Sequence, residues 1–181
     1  ANVDLKAFSE RFYHKICGGH LQPVLDTLAF IRHETDTWLE LTTLLIPGEN
    51  DSDQELNAMT AWVAEHLGPD VPMHFTAFHP DWKMRGIAAT PAATLSRARR
   101  IAAENGIRYA YTGNVHDAKG GSTWCHQCGE LLIERDWYRL GKWALSSEGR
   151  CRNCDTSIAG HFGGGPGQFG PQRIPVRLAT P

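Results

Sequence analysis

Four cysteines carry the clearest chemistry in this chain. Two residues separate Cys125 from Cys128 and two separate Cys151 from Cys154, with 22 residues between the pairs. That spacing lets both thiolates of a pair reach one ion from a tight turn. Gly129, directly after the first pair, suits the positive φ such a turn needs. Four sulfurs at about 2.3 Å complete the tetrahedron Zn²⁺ prefers and leave no open position, so the pattern predicts a structural zinc ion. A rubredoxin-type iron would use the same four thiolates. Two independent redox pairs are the remaining reading, but the second pair lacks the strand–helix setting of a thioredoxin-like motif. The segment between the pairs, Leu131 to Trp143, carries aromatic and apolar residues suited to a small hairpin, with Trp124, Trp137 and Trp143 expected in its core. So small a module has little core of its own, and metal binding should contribute much of its folding free energy. The fifth cysteine, Cys17, lies in the turn-like Ile16-Cys17-Gly18-Gly19 and reads as a buried or inert thiol.

The elements upstream of the cysteines alternate between two periods. Asn2 to Lys6 reads as a strand end. Leu21, Val24, Leu25, Leu28 and Ile31 recur at helical spacing, with Pro23 in the first turn. Trp38 to Ile46 is a strand stopped by Pro47-Gly48. Ser52 and Glu55 have capping-box spacing ahead of a helix that turns Leu56, Met59, Val63 and Leu67 to one face. Pro72 to Phe78 is a third strand. Thr90 can cap a helix whose inward residues are Leu95, Ala98 and Ile101, and Ile107 to Thr112 is a fourth strand. This alternation argues for a parallel sheet covered by helices. Four strands do not close an eight-stranded barrel, so the sheet is either small and open or part of a larger barrel. The expected organisation is residues 1–115 as one unit of alternating strands and helices, which the family resemblance described below makes a half-barrel, 123–160 as a zinc-ribbon module with four cysteine ligands, and 161–181 as a Gly/Pro-rich strap with too few apolar side chains to form a core.

Composition narrows the classes of function. The chain has 181 residues, 41% hydrophobic and 21% charged, with a net charge of −2 and a pI near 6.5. No basic excess favours nucleic acid. No run approaches the roughly 18 apolar residues a membrane helix needs, and residues 1–6 are not a signal peptide. Paired CxxC motifs without secretion signals point to a reducing, cytoplasmic setting. The chain does not open with Met and reads as a fragment or a processed product.

Several segments together resemble a known family. Asp4-Leu5-Lys6 and, about forty residues later, Leu45-Ile46-Pro47-Gly48-Glu49-Asn50-Asp51 resemble radical SAM activating enzymes such as pyruvate formate-lyase activating enzyme. His74-Phe75-Thr76-Ala77-Phe78-His79-Pro80, Tyr109 to Val115 and the two CxxC knuckles together resemble the AmmeMemoRadiSam system radical SAM enzymes. The resemblance implies the C-terminal half of a partial (β/α)₆ barrel that works with a [4Fe–4S] cluster and S-adenosylmethionine, releasing a 5′-deoxyadenosyl radical. It implies that Asp4 and Lys6 contact the amino-acid or ribose part of S-adenosylmethionine and that His79 contacts a polar group of the same ligand. The two charges suit a zwitterionic, ribose-bearing molecule. The family's cluster motif, CxxxCxxC, is absent, and Cys17 cannot replace it. The glycine-rich segment that usually follows the cluster is missing, and Thr42-Thr43 stand where many activating enzymes have an Arg. The implied partner is therefore an N-terminal, cluster-bearing half, in the same protein or a separate chain, and the isolated chain should not generate a radical. A Memo-like companion protein and a homodimer of paired half-barrels are further partners compatible with it.

Plainer roles compete for the same residues. Asp4 and Lys6 also fit an ordinary ion pair at an exposed strand start. His74, on the opposite strand face from His79, reads as a packed or surface histidine. His116-Asp117 reads as loop polarity, and Arg97, Arg99 and Arg100 as a solvated helix face. The alternative function is a non-enzymatic zinc-ribbon module that binds protein or nucleic acid. That alternative accounts for the cysteines but not for residues 1–112.

Overall fold

Burial alternates along every strand of the first unit, and that alternation builds the sheet. In the computed structural model, which describes residues 1–162, β1 (Asn2–Asp4), β2 (Glu40–Leu45), β3 (Met73–Ala77) and β4 (Ala110–Gly113) form a parallel sheet in that order. Leu41, Thr43 and Leu45 of β2, Met73 and Phe75 of β3, and Ala110 and Thr112 of β4 are buried, while their neighbours are half-exposed. Period-two patterning thus assigns one face to the core and leaves the other polar. The chain divides into two compact units, the first spanning Ala1–Gly120 and the second beginning at Gly121. All but the first two residues of the expected strap, 161–181, lie outside the described residues. No described helix is long and apolar enough to cross a membrane.

The helices of the first unit bury their apolar stripes against the same sheet face. These are α2 (Leu21–Glu34), α3 (Asp53–His66) and α4 (Ala92–Glu104). Leu25 and Leu28 of α2, Leu56, Met59 and Val63 of α3, and Leu95, Ala98 and Ile101 of α4 join Leu41, Leu45, Met73 and Phe75 in one core cluster. Before α2, a single helical turn, α1 (Glu10–Phe12), continues into a π-helical turn over Tyr13–Cys17, closed by Gly18 at φ 68°. A smaller apolar cluster of Ala7, Phe12, Tyr13, Ile46 and Phe78 forms where the chain leaves β1, β2 and β3.

Some local expectations change in the fold. Ser52 accepts from the Glu55 amide as expected, but the Glu55 carboxylate does not return the bond. It accepts from the Phe8 amide at 2.7 Å and fixes the chain leaving β1 against α3. Thr90 does not cap α4; Pro91 occupies that position. Thr90 is 6% exposed, and its hydroxyl donates to the Leu45 carbonyl at 2.6 Å while accepting from the Phe78 amide at 3.0 Å. It cross-braces the ends of β2 and β3. Thr90→Val keeps the shape but orphans both backbone groups. We expect about 2–3 kcal/mol of destabilisation in urea unfolding; a change below the error of the measurement would assign the brace no weight. Cys17, expected to be a buried or inert thiol, is exposed at the end of the π-helical turn. Partial desolvation still pushes its thiol pKa up, which disfavours the reactive thiolate. Arg97 and Arg99 are not a plain solvated face. Arg97 donates to the Asp51 carbonyl in the loop ahead of α3, and Arg99 to the Ala110 carbonyl of β4, so both side chains tie α4 to the rest of the unit.

The second unit is built on a three-stranded antiparallel sheet of β5 (Thr123–Trp124), β6 (Leu131–Asp136) and β7 (Arg139–Trp143). The predicted hairpin forms, with Asp136 paired to Arg139 across a turn at Trp137-Tyr138. Its aromatic residues are not all core. Trp137 sits at φ 53° and is 60% exposed, and Tyr138 is 72% exposed, because both occupy the tip. The buried hydrophobic residues are instead Leu132, Ile133, Ala144, Leu145, Ile158 and two of the cysteines.

Candidate metal centre and sheet-end site

The two cysteine pairs form matching knuckles. The Cys125 amide donates to the Glu130 carbonyl at 2.8 Å, and the Gly129 amide donates to the Cys125 carbonyl at 2.9 Å. In the second knuckle the Cys151 amide donates to the Thr156 carbonyl at 2.9 Å, and the Asp155 amide to the Cys151 carbonyl at 2.8 Å. The fifth residue of each has positive φ, 73° at Gly129 and 61° at Asp155. Glycine takes that conformation freely. Aspartate tolerates it better than most residues, and Arg150 grips its carboxylate at 2.8 and 3.0 Å.

The knuckles bring all four sulfurs within 4.8 Å of one another, with Cys125 and Cys151 buried and Cys128 and Cys154 exposed. The Cys125–Cys154 and Cys128–Cys151 sulfur distances are 3.6 and 3.8 Å. A tetrahedron with metal–sulfur bonds of about 2.3 Å has edges of about 3.8 Å, so the four thiols fit one ion. Burial pushes the Cys125 thiol up to about 11, whereas the Thr156 hydroxyl and amide pull Cys154 down to about 6. Asn153 Nδ2 lies 3.5 Å from the Cys128 sulfur. Such neighbours orient and tune metal-bound sulfur.

The other predicted residues lie at or just beyond the ends of the parallel strands. Asp4 ends β1 and Lys6 follows two residues later; their side chains pair at 2.6 Å, about half-exposed. His79 is exposed, two residues beyond the end of β3. The loop leaving β2 is fixed by Asn50, which is fully buried. Its Oδ1 accepts from the Ile46 amide at 2.7 Å, and its Nδ2 donates to the carbonyls of Lys6 at 2.7 Å and Leu44 at 2.9 Å. The chain beside Asp4 and Lys6 is therefore held from β2. At the end of β4, Asp117 accepts from the Thr112 hydroxyl and the Gly120 amide. A side chain at position 120 would meet Asp117 and Thr112 at 2.2 Å. Asp117 is thus a structural brace.

In the sequence Asn50 stands out only as part of the Leu45–Asp51 segment, Glu40 carries no signal, and His74 reads as a packed or surface histidine. Glu40 Oε2 accepts from His74 Nε2 at 2.8 Å, and the His74 ring stacks on Tyr111 with centroids 5.1 Å apart. The available signal was parity: His74 and Tyr111 each occupy the alternate positions of their strands that face away from the helices.

A domain of pyruvate-formate lyase-activating enzyme from Bacteroides vulgatus has a TM-score of 0.54 to this chain at 16% identity. The match covers 62% of this chain and 66% of that one. The α/β fold with its parallel sheet is similar to that activating-enzyme domain. In sequence, the chain is 39% identical over 158 residues to the uncharacterized protein MJ0808 of Methanocaldococcus jannaschii. That match takes in 87% of this chain and 47% of the relative, so the chain spans about half the length of the curated relative it matches. No family model matches the chain.

Proposed function

We propose that this chain is the C-terminal portion of a radical S-adenosylmethionine enzyme of the AmmeMemoRadiSam type, contributing S-adenosylmethionine contacts and a structural zinc site. The activating-enzyme fold, with Asp4 and Lys6 at the carboxyl end of its first strand, carries the reading. Ligands of parallel α/β sheets bind at those ends. Asp4 would bind a cationic or hydroxyl group, Lys6 a carboxylate, and His79 a polar group of the same molecule. When bound, S-adenosylmethionine and an iron–sulfur cluster supply one-electron chemistry. The cluster is not held here, since Cys17 is the one cysteine left beyond the four-sulfur centre. We assign it to a preceding half of the barrel. In support, β1 pairs only with β2 among the described residues, leaving its other edge available. The Cys125, Cys128, Cys151 and Cys154 centre holds zinc in this reading, as a closed thiolate site with a structural role.

Metal and sulfide analysis of the anaerobically purified chain tests the division of labour. The expected result is one zinc with neither iron nor sulfide. Near four irons and four sulfides per chain would end the half-enzyme reading. In the longer protein that carries both halves, Asp4→Ala should weaken S-adenosylmethionine binding by about 10–100-fold, the worth of one charged hydrogen bond; unchanged affinity would remove Asp4 and its assigned role. The exposed Trp137, Tyr138 and Leu140 favour a second reading, a non-enzymatic zinc-ribbon module that contacts protein. Full zinc occupancy with no S-adenosylmethionine binding by the longer protein would select it.

A further inference from the structure

The sheet face turned away from the helices carries a polar array. Register pairs Asp4 with Thr42, Thr42 with His74, and His74 with Tyr111, so these four form one row across the strands. Adjacent strands lie about 4.8 Å apart, which puts His74 about 10 Å along the row from Asp4. That is within the span of one nucleoside-sized ligand. A filled barrel core would present bulky branched residues here. This row instead presents a carboxylate, a hydroxyl, an imidazole and a phenol, all at least partly exposed.

Within the array, His74 is held from two sides. Glu40 Oε2 accepts a hydrogen bond from Nε2–H at 2.8 Å, and the other oxygen of Glu40 accepts from Trp38 Nε1 at 2.9 Å. Tyr111 supports the ring by stacking at 25° between planes. The bond to Glu40 selects the tautomer with its proton on Nε2 and a lone pair on Nδ1. Nδ1 has no hydrogen-bond partner among the described residues, and the imidazole is about one-third exposed. A histidine that served only to tie β2 to β3 would not need its second nitrogen presented on an open polar face.

We propose that His74, oriented by Glu40 and Trp38 and backed by Tyr111, is a ligand-binding residue of this face. Its Nδ1 accepts a hydrogen bond from an O–H or N–H group of a nucleoside-type ligand whose other end is held at Asp4 and Lys6. The proposal rests on the reading of the sheet end as an S-adenosylmethionine site and adds a contact that reading does not contain. Glu40 is a positioning residue, acting through the imidazole.

The test is nitrogen-15 NMR of histidine-labelled protein, the full chain joined to its cluster-bearing half, titrated with S-adenosylmethionine. The His74 signals are assigned by their loss in His74→Ala. Before ligand is added, His74 should display the Nε2–H tautomer. At saturation the Nδ1 resonance should move, and calorimetry should give about tenfold weaker binding for His74→Ala. Glu40→Gln keeps the ring in place but mixes the tautomers, and should weaken binding about threefold. Binding that Asp4→Ala weakens, with His74 signals unmoved and His74→Ala affinity unchanged, would overturn this proposal and leave the cofactor reading standing. Absence of any S-adenosylmethionine binding by the unsubstituted protein would overturn both.

Discussion

Cys151→Ser should empty the metal centre and unfold the second unit while the parallel-sheet unit keeps its helices. Cys151 is 1% exposed and belongs to the knuckle whose amides bond back to Cys151 and Thr156. Apart from two cysteines, the buried apolar side chains of this unit are few: Leu132, Ile133, Ala144, Leu145 and Ile158. So small a core cannot offset the conformational entropy of the segment. Structural zinc in comparable small modules contributes an apparent 10–16 kcal/mol or so at neutral pH, and three thiolates retain only part of it. The expected readout is zinc falling from one per chain to near zero, with rapid trypsin cleavage confined to residues beyond Gly121. Cys17→Ser is the control and should change neither. Zinc retained at one per chain in Cys151→Ser, with unaltered melting, would refute the centre.

Asn50→Ala should be the most damaging single substitution in the first unit outside its apolar core. The Asn50 amide satisfies three backbone groups at once, the Ile46 N–H and the carbonyls of Lys6 and Leu44. Alanine leaves all three without their partner beneath a residue of zero exposure. At about 1–3 kcal/mol for each orphaned group, with partial relaxation, the loss should reach about 3–5 kcal/mol. Domains of this size are stable by only about 5–15 kcal/mol. Asn50→Asp restores the acceptor but aims a carboxylate at two carbonyl oxygens, and should be no better. Urea unfolding followed by far-ultraviolet circular dichroism measures both. A loss under about 1 kcal/mol would show that water replaces the amide. The Lys6 backbone is one of the groups held, so Asn50→Ala should also loosen whatever Lys6 binds.

Helices with a long apolar period were legible before any fold was known. Leu56, Met59, Val63 and Leu67 were expected on one face of α3, and none is more than 1% exposed. Leu95, Ala98 and Ile101 of α4 behave alike. Short-range signals were less secure where a distant partner displaced a local one. Thr90 has the type and position of a cap, yet its hydroxyl bonds Leu45 and Phe78. Glu55 has capping-box spacing, yet its carboxylate serves Phe8. The hairpin was legible from Leu131 to Trp143, but not which of its aromatic residues would be stranded at the tip.

The four-sulfur centre could be read straight from the chain, because CxxC spacing acts through local turn geometry that repeats wherever the motif occurs. So could the alternation of strands and helices, and hence a parallel sheet. What that sheet presents to a ligand emerged only on folding. Asp4, Thr42, His74 and Tyr111 are scattered along the chain and meet only through strand register, and Glu40 reaches His74 across 34 residues. A slip of one residue in any strand would turn its members of that row toward the helices. Register is fixed by packing the alternate residues Leu41, Leu45, Met73 and Phe75 against all three helices at once, a collective condition that no local window of sequence contains.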